Sequence, residues 1–254
     1  EYGTNISLDK LKLSFITWDT DLKGIYIQDY KKDTLFYINK LNTSILNIKN
    51  LINGDLEFGA IEVDELKFKL VTYKGETTSN INVFIDKLDD GKPRAPGTPP
   101  FLFTATNIEI RDSNFKLIDQ NFEKQELLNF KQLNINANNF EIIGPDVSMD
   151  VENLAFVSKR GLAVEKMSTA FTYSKEQMNF ESLEIASKKS KLKGNLKMDY
   201  GPGDFLDFLN KVKFTADFTD SQVSFDEINL LYNQFGKEKD AYFSTNVEGV
   251  LNDL

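Results

Sequence analysis

Two side chains that carry much of the acid–base, nucleophilic and metal chemistry at neutral pH are missing from this chain. Its 254 residues include no histidine and no cysteine. A Ser-His-Asp relay is therefore impossible, the commonest zinc ligand is absent, and thiol nucleophiles and disulfides are ruled out. Carboxylates remain. Asp19 and Asp21 flank Thr20 beside Trp18, a grouping that could touch calcium or a sugar. No EF-hand spacing follows it. A solvated turn between Phe15-Ile16 and a strand at Ile25-Tyr26-Ile27 accounts for it more simply. Asp86, Asp89 and Asp90 read as a charged entrance to a loop. Lys188, Lys189, Lys191 and Lys193 form a basic patch that could meet lipid phosphates, although a solvated strand face explains it as well. A pair of carboxylates for glycoside hydrolysis stays formally open. There is no glycine-rich phosphate loop and no G-x-S-x-G elbow, and Gly201-Pro202-Gly203 reads as a turn. These residues predict a chain that is not an enzyme and needs no metal or cofactor.

What such side chains would be mounted on is predominantly β. Apolar and polar residues alternate at Leu11, Leu13 and Phe15, at Leu66, Phe68 and Leu70, and at Ile81, Val83 and Ile85. The same period of two recurs at Leu133 and Ile135, Phe140 and Ile142, Phe171 and Tyr173, Leu192 and Leu196, and Phe214, Ala216 and Phe218. Strands that are apolar on one face only favour an antiparallel sheet. Phenylalanine is abundant, at 21 residues against one tryptophan, and suits such strands. Three short segments break the alternation and predict helices: Ser44 to Ile52, Asp204 to Val212 capped by Asp204, and Asp226 to Phe235 capped by Asp226. A sheet with one apolar face can close on itself as a sandwich or barrel, or leave that face for an apolar guest.

The net charge of −9 argues against a nucleic-acid partner. No run of residues is long and apolar enough to span a membrane as a helix. Residues 91–100 hold four of the six prolines and predict a linker or long loop. The reading is thus an N-terminal β segment over 1–90, the linker at 91–100, and continuing β repeats over 101–254. A weak repeat runs through both parts. Ile61-x-Val63-x₄-Phe68-x-Leu70 matches Ile108-x-Ile110-x₄-Phe115-x-Leu117 and Leu133-x-Ile135-x₄-Phe140-x-Ile142. It suggests strands stacked along an axis, none of which buries its face alone.

Several phrases also occur together in the order of a known family. They are Gly24, Ile25, Ile27 and Asp29, then Asp33-Thr34-Leu35, Leu51 with Gly54, and Ile61 to Leu70. Ser190 to Tyr200, the helical segment Asp226 to Tyr232 and the closing Val247 to Leu254 follow. In this the chain resembles the TamB/AsmA-like family, the translocation and assembly module subunits. The resemblance implies an elongated, curved antiparallel β-groove (a β-taco) with a few short helices, in the periplasm. It implies anchoring in the inner membrane by a preceding helix and an outer-membrane β-barrel partner met through other regions. It also implies that phospholipids are bound and conducted between the two membranes, or that barrel assembly is assisted through strand edges. On that reading the groove floor comprises Phe68, Leu70, Ile108, Ile110, Phe115, Leu117, Leu133, Ile135, Phe140 and Ile142.

Overall fold

The structure, a computed structural model, describes residues 5–14, 19–46, 56–88, 100–201, 203–231 and 235–253. It is nearly all β. The strands are β1 (Ile6–Ser7), β2 (Lys10–Leu13), β3 (Asp19–Gln28), β4 (Thr34–Ile45), β5 (Leu56–Thr72), β6 (Leu102–Asp119), β7 (Glu126–Ile143), β8 (Asp146–Ser158), β9 (Ala163–Tyr173), β10 (Gln177–Ser187), β11 (Lys191–Asp199), β12 (Lys213–Ser224) and β13 (Asp240–Val250). The described helices are short: α1 (Asn80–Leu88), α2 (Phe208–Lys211) and α3 (Phe225–Leu231), with 3₁₀ turns at Asp204–Asp207 and Leu251–Asp253.

All thirteen strands belong to one sheet, and from β3 to β13 each strand lies beside its neighbour in sequence. β1 and β2 share the free edge of β3, pairing with it at Ile27 and Tyr26 and at Lys23 to Thr20. The pairs from β3 to β5 and from β9 to β13 are antiparallel, as one-sided alternation requires. Among the described residues no pairing joins β13 back to β1 or β2, so the sheet is unclosed. The chain divides into two compact units. Unit 1 holds residues 1–100, 108–134 and 157–159; unit 2 holds 101–107, 135–156 and 160–254. The long strands β6 and β7 contribute to both.

A local device recurs within the strands. Glu65, Asp112, Gln132, Asn139, Ser182 and Asp220 have φ between 44° and 56° in the middle of strands. One left-handed residue in a strand marks a β-bulge, whose extra residue inverts the side-chain parity beyond it. The pairing of β10 with β11 shifts between Phe180 and Leu183, and that of β12 with β13 between Phe218 and Ser221. The apolar pattern inverts at the same places. Phe214, Ala216 and Phe218 give way to Ser221 and Val223 across Asp220. Ile108 and Ile110 give way to Phe115 and Leu117 across Asp112. The x₄ spacer of the sequence repeat is thus long enough to hold one bulge.

One bulge in each unit is satisfied in the same way. In unit 1 the Asp112 amide donates to Asn134 Oδ1 on the next strand (3.1 Å). Ser113 Oγ accepts from Leu66 N (2.9 Å) and donates to the Arg111 carbonyl (2.8 Å). In unit 2 the Asp220 amide donates to Ser244 Oγ (3.0 Å). Ser221 Oγ accepts from Lys193 N (3.1 Å) and donates to the Thr219 carbonyl (3.1 Å). Ser182 repeats the first half of this, donating its amide to Asn195 Oδ1 (2.8 Å). At these bulges side-chain oxygens accept from backbone amides that the interrupted ladder leaves open.

The structure corrects five local expectations. Ile81, Val83 and Ile85 are not a strand but lie in α1, with Asp86. Ile81, Phe84, Ile85 and Leu88 also fit helical spacing, and tertiary contacts select that alternative. Asn80 is fully buried. Its Oδ1 accepts from Val71 N (2.9 Å), while its Nδ2 donates to Lys69 O (3.0 Å) and Asp29 Oδ2 (3.1 Å). Asp19 and Asp21 stand in β3 rather than in a turn, paired with Ser44 and Asn42. Ser44 and Ile45 end β4 instead of opening a helix, because their partners on β3 and β5 extend that far. The third helix starts at Phe225, so Asp226 lies inside its first turn. The Asp226 carboxylate accepts from the Glu238 amide (2.9 Å) and from Lys189 (2.8 Å). The helical segment at Asp204 forms, but its cap position is Gly203, and Asp204 accepts from the Gly201 amide (2.6 Å). Phe15, Trp18, Asp89, Asp90 and residues 47–55 and 91–99 lie outside the described residues.

Candidate apolar binding face

In unit 1, the alternation of β4 to β7 brings four phenylalanines into one cross-strand row. Phe36 stands opposite Phe68, and their rings stack with centroids 4.6 Å apart. Phe68 meets Phe115 edge-on at 5.4 Å, and Phe115 meets Phe130 at 6.0 Å. Such contacts are worth about 0.5–1.5 kcal/mol each beyond the area they bury. All four rings remain half-buried. A sandwich core would bury them fully. Among the described residues, no second sheet covers this one.

Unit 2 has corresponding rows with a different lining. Phe171 pairs with Phe180, Phe180 with Leu196, Leu196 with Ala216, and Ala216 with Val247. The adjacent row is Tyr173, Met178, Met198 and Phe214. Phenylalanine contacts here include Phe103 with Phe140 (5.7 Å), Phe171 with Phe180 (5.1 Å) and Phe218 with Phe243 (6.4 Å). Phe208 of α2 sits edge-on to Phe214 at 5.4 Å. Tyr200 is buried beside Tyr173 and donates to the Ser174 carbonyl (2.9 Å). Burial, with a smaller contribution from Tyr173, pushes its phenol up to about 12.

Of the ten residues singled out in the sequence, Phe68 and Leu70 are on β5, Ile108, Ile110, Phe115 and Leu117 on β6, and Leu133, Ile135, Phe140 and Ile142 on β7. Nine are half-buried; Leu133, 7% exposed, is core. Phe68 and Phe115 touch. Ile135, Phe140 and Ile142 belong to unit 2, where Phe140 packs on Phe103. Phe36 and Phe130, which complete the unit 1 row, were not among the ten. Phe36 sits in the unbroken run Leu35-Phe36-Tyr37-Ile38, which hides its parity, and Phe130 lies ahead of the Gln132 bulge. The signal that could have found Phe130 is the triplet Asn129-Phe130-Lys131, which repeats Asn114-Phe115-Lys116.

The opposite face is ionic. Arg111 is held by Asp64 (2.8 Å), Glu62 (2.9 Å) and Glu109 (3.2 Å), and the bond to Asp64 leads in holding its guanidinium above the ordinary value. In unit 2, Lys193 pairs with Glu184 (2.8 Å) and Lys213 with Glu248 (2.6 Å). The basic patch read at Lys188 to Lys193 is therefore partly neutralised, by Glu184 and by the Asp226–Lys189 bond. Among the described residues no group of histidine, cysteine, aspartate or glutamate could hold a metal ion. No helix there is long and apolar enough to cross a membrane, which says nothing of a β-barrel. No protein-family model matches the chain, and no curated protein matches it.

Proposed function

We propose that this chain is a non-enzymatic segment of a TamB/AsmA-like envelope protein, and that its apolar sheet face carries phospholipid acyl chains between inner and outer membranes. One observation supports the reading above the others: a row of four half-buried phenylalanines on an open sheet whose reverse face is ionic. Acyl chains lie along such rows while head groups stay in water. Burial contributes about 0.8 kcal/mol per methylene, so one long chain gains about 10 kcal/mol. The rows offer successive similar surfaces rather than one pocket, which lets a lipid slide. In this reading the protein is periplasmic, anchored in the inner membrane by a preceding helix, and meets an outer-membrane β-barrel through other regions.

The test is mass spectrometry of lipid extracted from the purified chain, beside Phe68→Asp/Phe115→Asp. Phospholipid in stoichiometric amount, lost from a variant that keeps its β circular dichroism, is the expected result. Wild-type protein without lipid overturns the reading. A second reading, a scaffold for barrel-protein assembly, draws on β13. Among the described residues its outer edge carries no strand, and its Tyr242 is 73% exposed. An edge of that kind can take a further strand by backbone hydrogen bonding. Cross-links from a photoreactive group at Tyr242 to a nascent barrel strand would favour it.

A further inference from the structure

The phenylalanine row of unit 1 has a counterpart on the other face. Lys67 and Lys69 flank Phe68, Asn114 and Lys116 flank Phe115, and Asn129 and Lys131 flank Phe130. Alternation turns these neighbours away from the rings. They meet around a recess of about 350 Å³, which no carboxylate lines. That departs from the rest of this face, where Arg111 alone engages three carboxylates. Of the four lysines, Lys69 is bonded to Asp33, and Lys67 lies over the Tyr37 ring at 5.3 Å. Lys116 and Lys131 are exposed. The nearby Glu126 is engaged by Lys159 at 2.7 Å. With Lys69 already bonded to Asp33, the ammonium groups of Lys67, Lys116 and Lys131 share this recess and repel one another unless a further anion sits among them. The Asn114 amide adds a neutral donor between them, while Asn129 Nδ2 donates to Glu126 (3.0 Å).

We infer that this recess is a binding site for a phosphate-bearing anion. The site uses residues other than the apolar rows and does not rest on the lipid-carrier reading. Ammonium groups suit a phosphate as point charges, and the aliphatic lysine stems give the recess an apolar wall for whatever the phosphate is attached to. The experiment is calorimetric titration of the full 254-residue chain at low salt with inorganic phosphate and with a short-chain phosphatidylglycerol. Saturable, salt-sensitive binding of either probe is expected, weakened about tenfold or more in Lys116→Gln/Lys131→Gln. Lys188→Gln/Lys191→Gln in unit 2 should bind as wild type. Binding of the phosphatidylglycerol alone identifies a lipid head group as the source; binding of both shows that free phosphate suffices. If neither binds, or if the unit 1 variant binds no more weakly than the unit 2 variant, the inference is overturned.

Discussion

The two units solve one problem with the same chemistry and then diverge in what they present. Each places a left-handed residue in mid-strand, follows it with a buried serine, and satisfies the interrupted ladder from the next strand: Asp112, Ser113 and Asn134 in unit 1, Asp220, Ser221 and Ser244 in unit 2. Unit 1 then lines its face with touching phenylalanines and ties α1 to its sheet through a buried polar cluster. Asp29, 1% exposed, accepts from Lys31 N, Asp33 N, Tyr73 Oη and Asn80 Nδ2. Unit 2 lines its rows with leucine, methionine, alanine and valine among its phenylalanines, and brings β11 and β12 very close at Gly194. The comparison teaches that the bulge fixes which residues share a face, while the lining of that face is free to vary.

The sharpest break between the units should come at Gly194. A Cβ there would lie 1.9 Å from the Asp217 carbonyl oxygen, and its φ is 153°. Gly194→Ala should cost about 3 kcal/mol or more. Hydrogen exchange followed by peptide should show β11 and β12 opening while β4 and β5 stay protected. The reverse pattern should follow Asn80→Ala, which strands the Val71 amide and removes one of the two donors to Asp29 Oδ2, the other being Tyr73 Oη. It should cost about 2–3 kcal/mol and loosen α1 and β5 but not β11. Ser113→Ala and Ser221→Ala test whether the shared device is energetically the same. Each should cost about 1–2 kcal/mol in denaturant unfolding, and a large inequality would show that the likeness is geometric only. Asp112→Gly and Asp220→Gly should stabilise by about 0.5–1 kcal/mol, since glycine adopts the left-handed conformation without the Cβ penalty.

The smallest effect concerns acid. Burial pushes the Asp33 carboxyl up, but the bond from Lys69 and the Thr34 amide outweigh it, and Asp33 sits below the ordinary range. Asp199 in unit 2 behaves alike: burial raises it, and Gln177 and Lys197 bring it below. A carboxyl depressed in the folded state stabilises above its unfolded value, near pH 4, and that contribution fades as pH falls through the folded value. Lys69→Met should flatten the acid limb of stability in unit 1. Lys197→Met should flatten it less in unit 2, because Gln177 remains. Unfolding midpoints measured from pH 5 down to pH 2 check both.

The all-β class and the single apolar face were legible in the sequence, because a period of two is written residue by residue. The repeat of Ile61 to Leu70 and Ile108 to Leu117 was legible too, and in hindsight so was its break in parity. An odd apolar position followed by an even one cannot share a face unless a residue is added between them. What the sequence could not settle was where that extra residue sits. Glu65, Asp112 and Gln132 resemble any other polar strand residue, and their left-handed backbone is chosen by the neighbouring strand that accepts or offers the orphaned bond. The same holds for Ile81, Val83 and Ile85, whose spacing suits a strand or a helix. The pocket that buries Asn80 between Asp29, Lys69 and Val71 decides for the helix. Local alternation determined the kind of element and which residues are apolar. Partners tens of residues away decided the parity, the turns and the face on which each residue stands, because only they can complete hydrogen bonds that a strand leaves open.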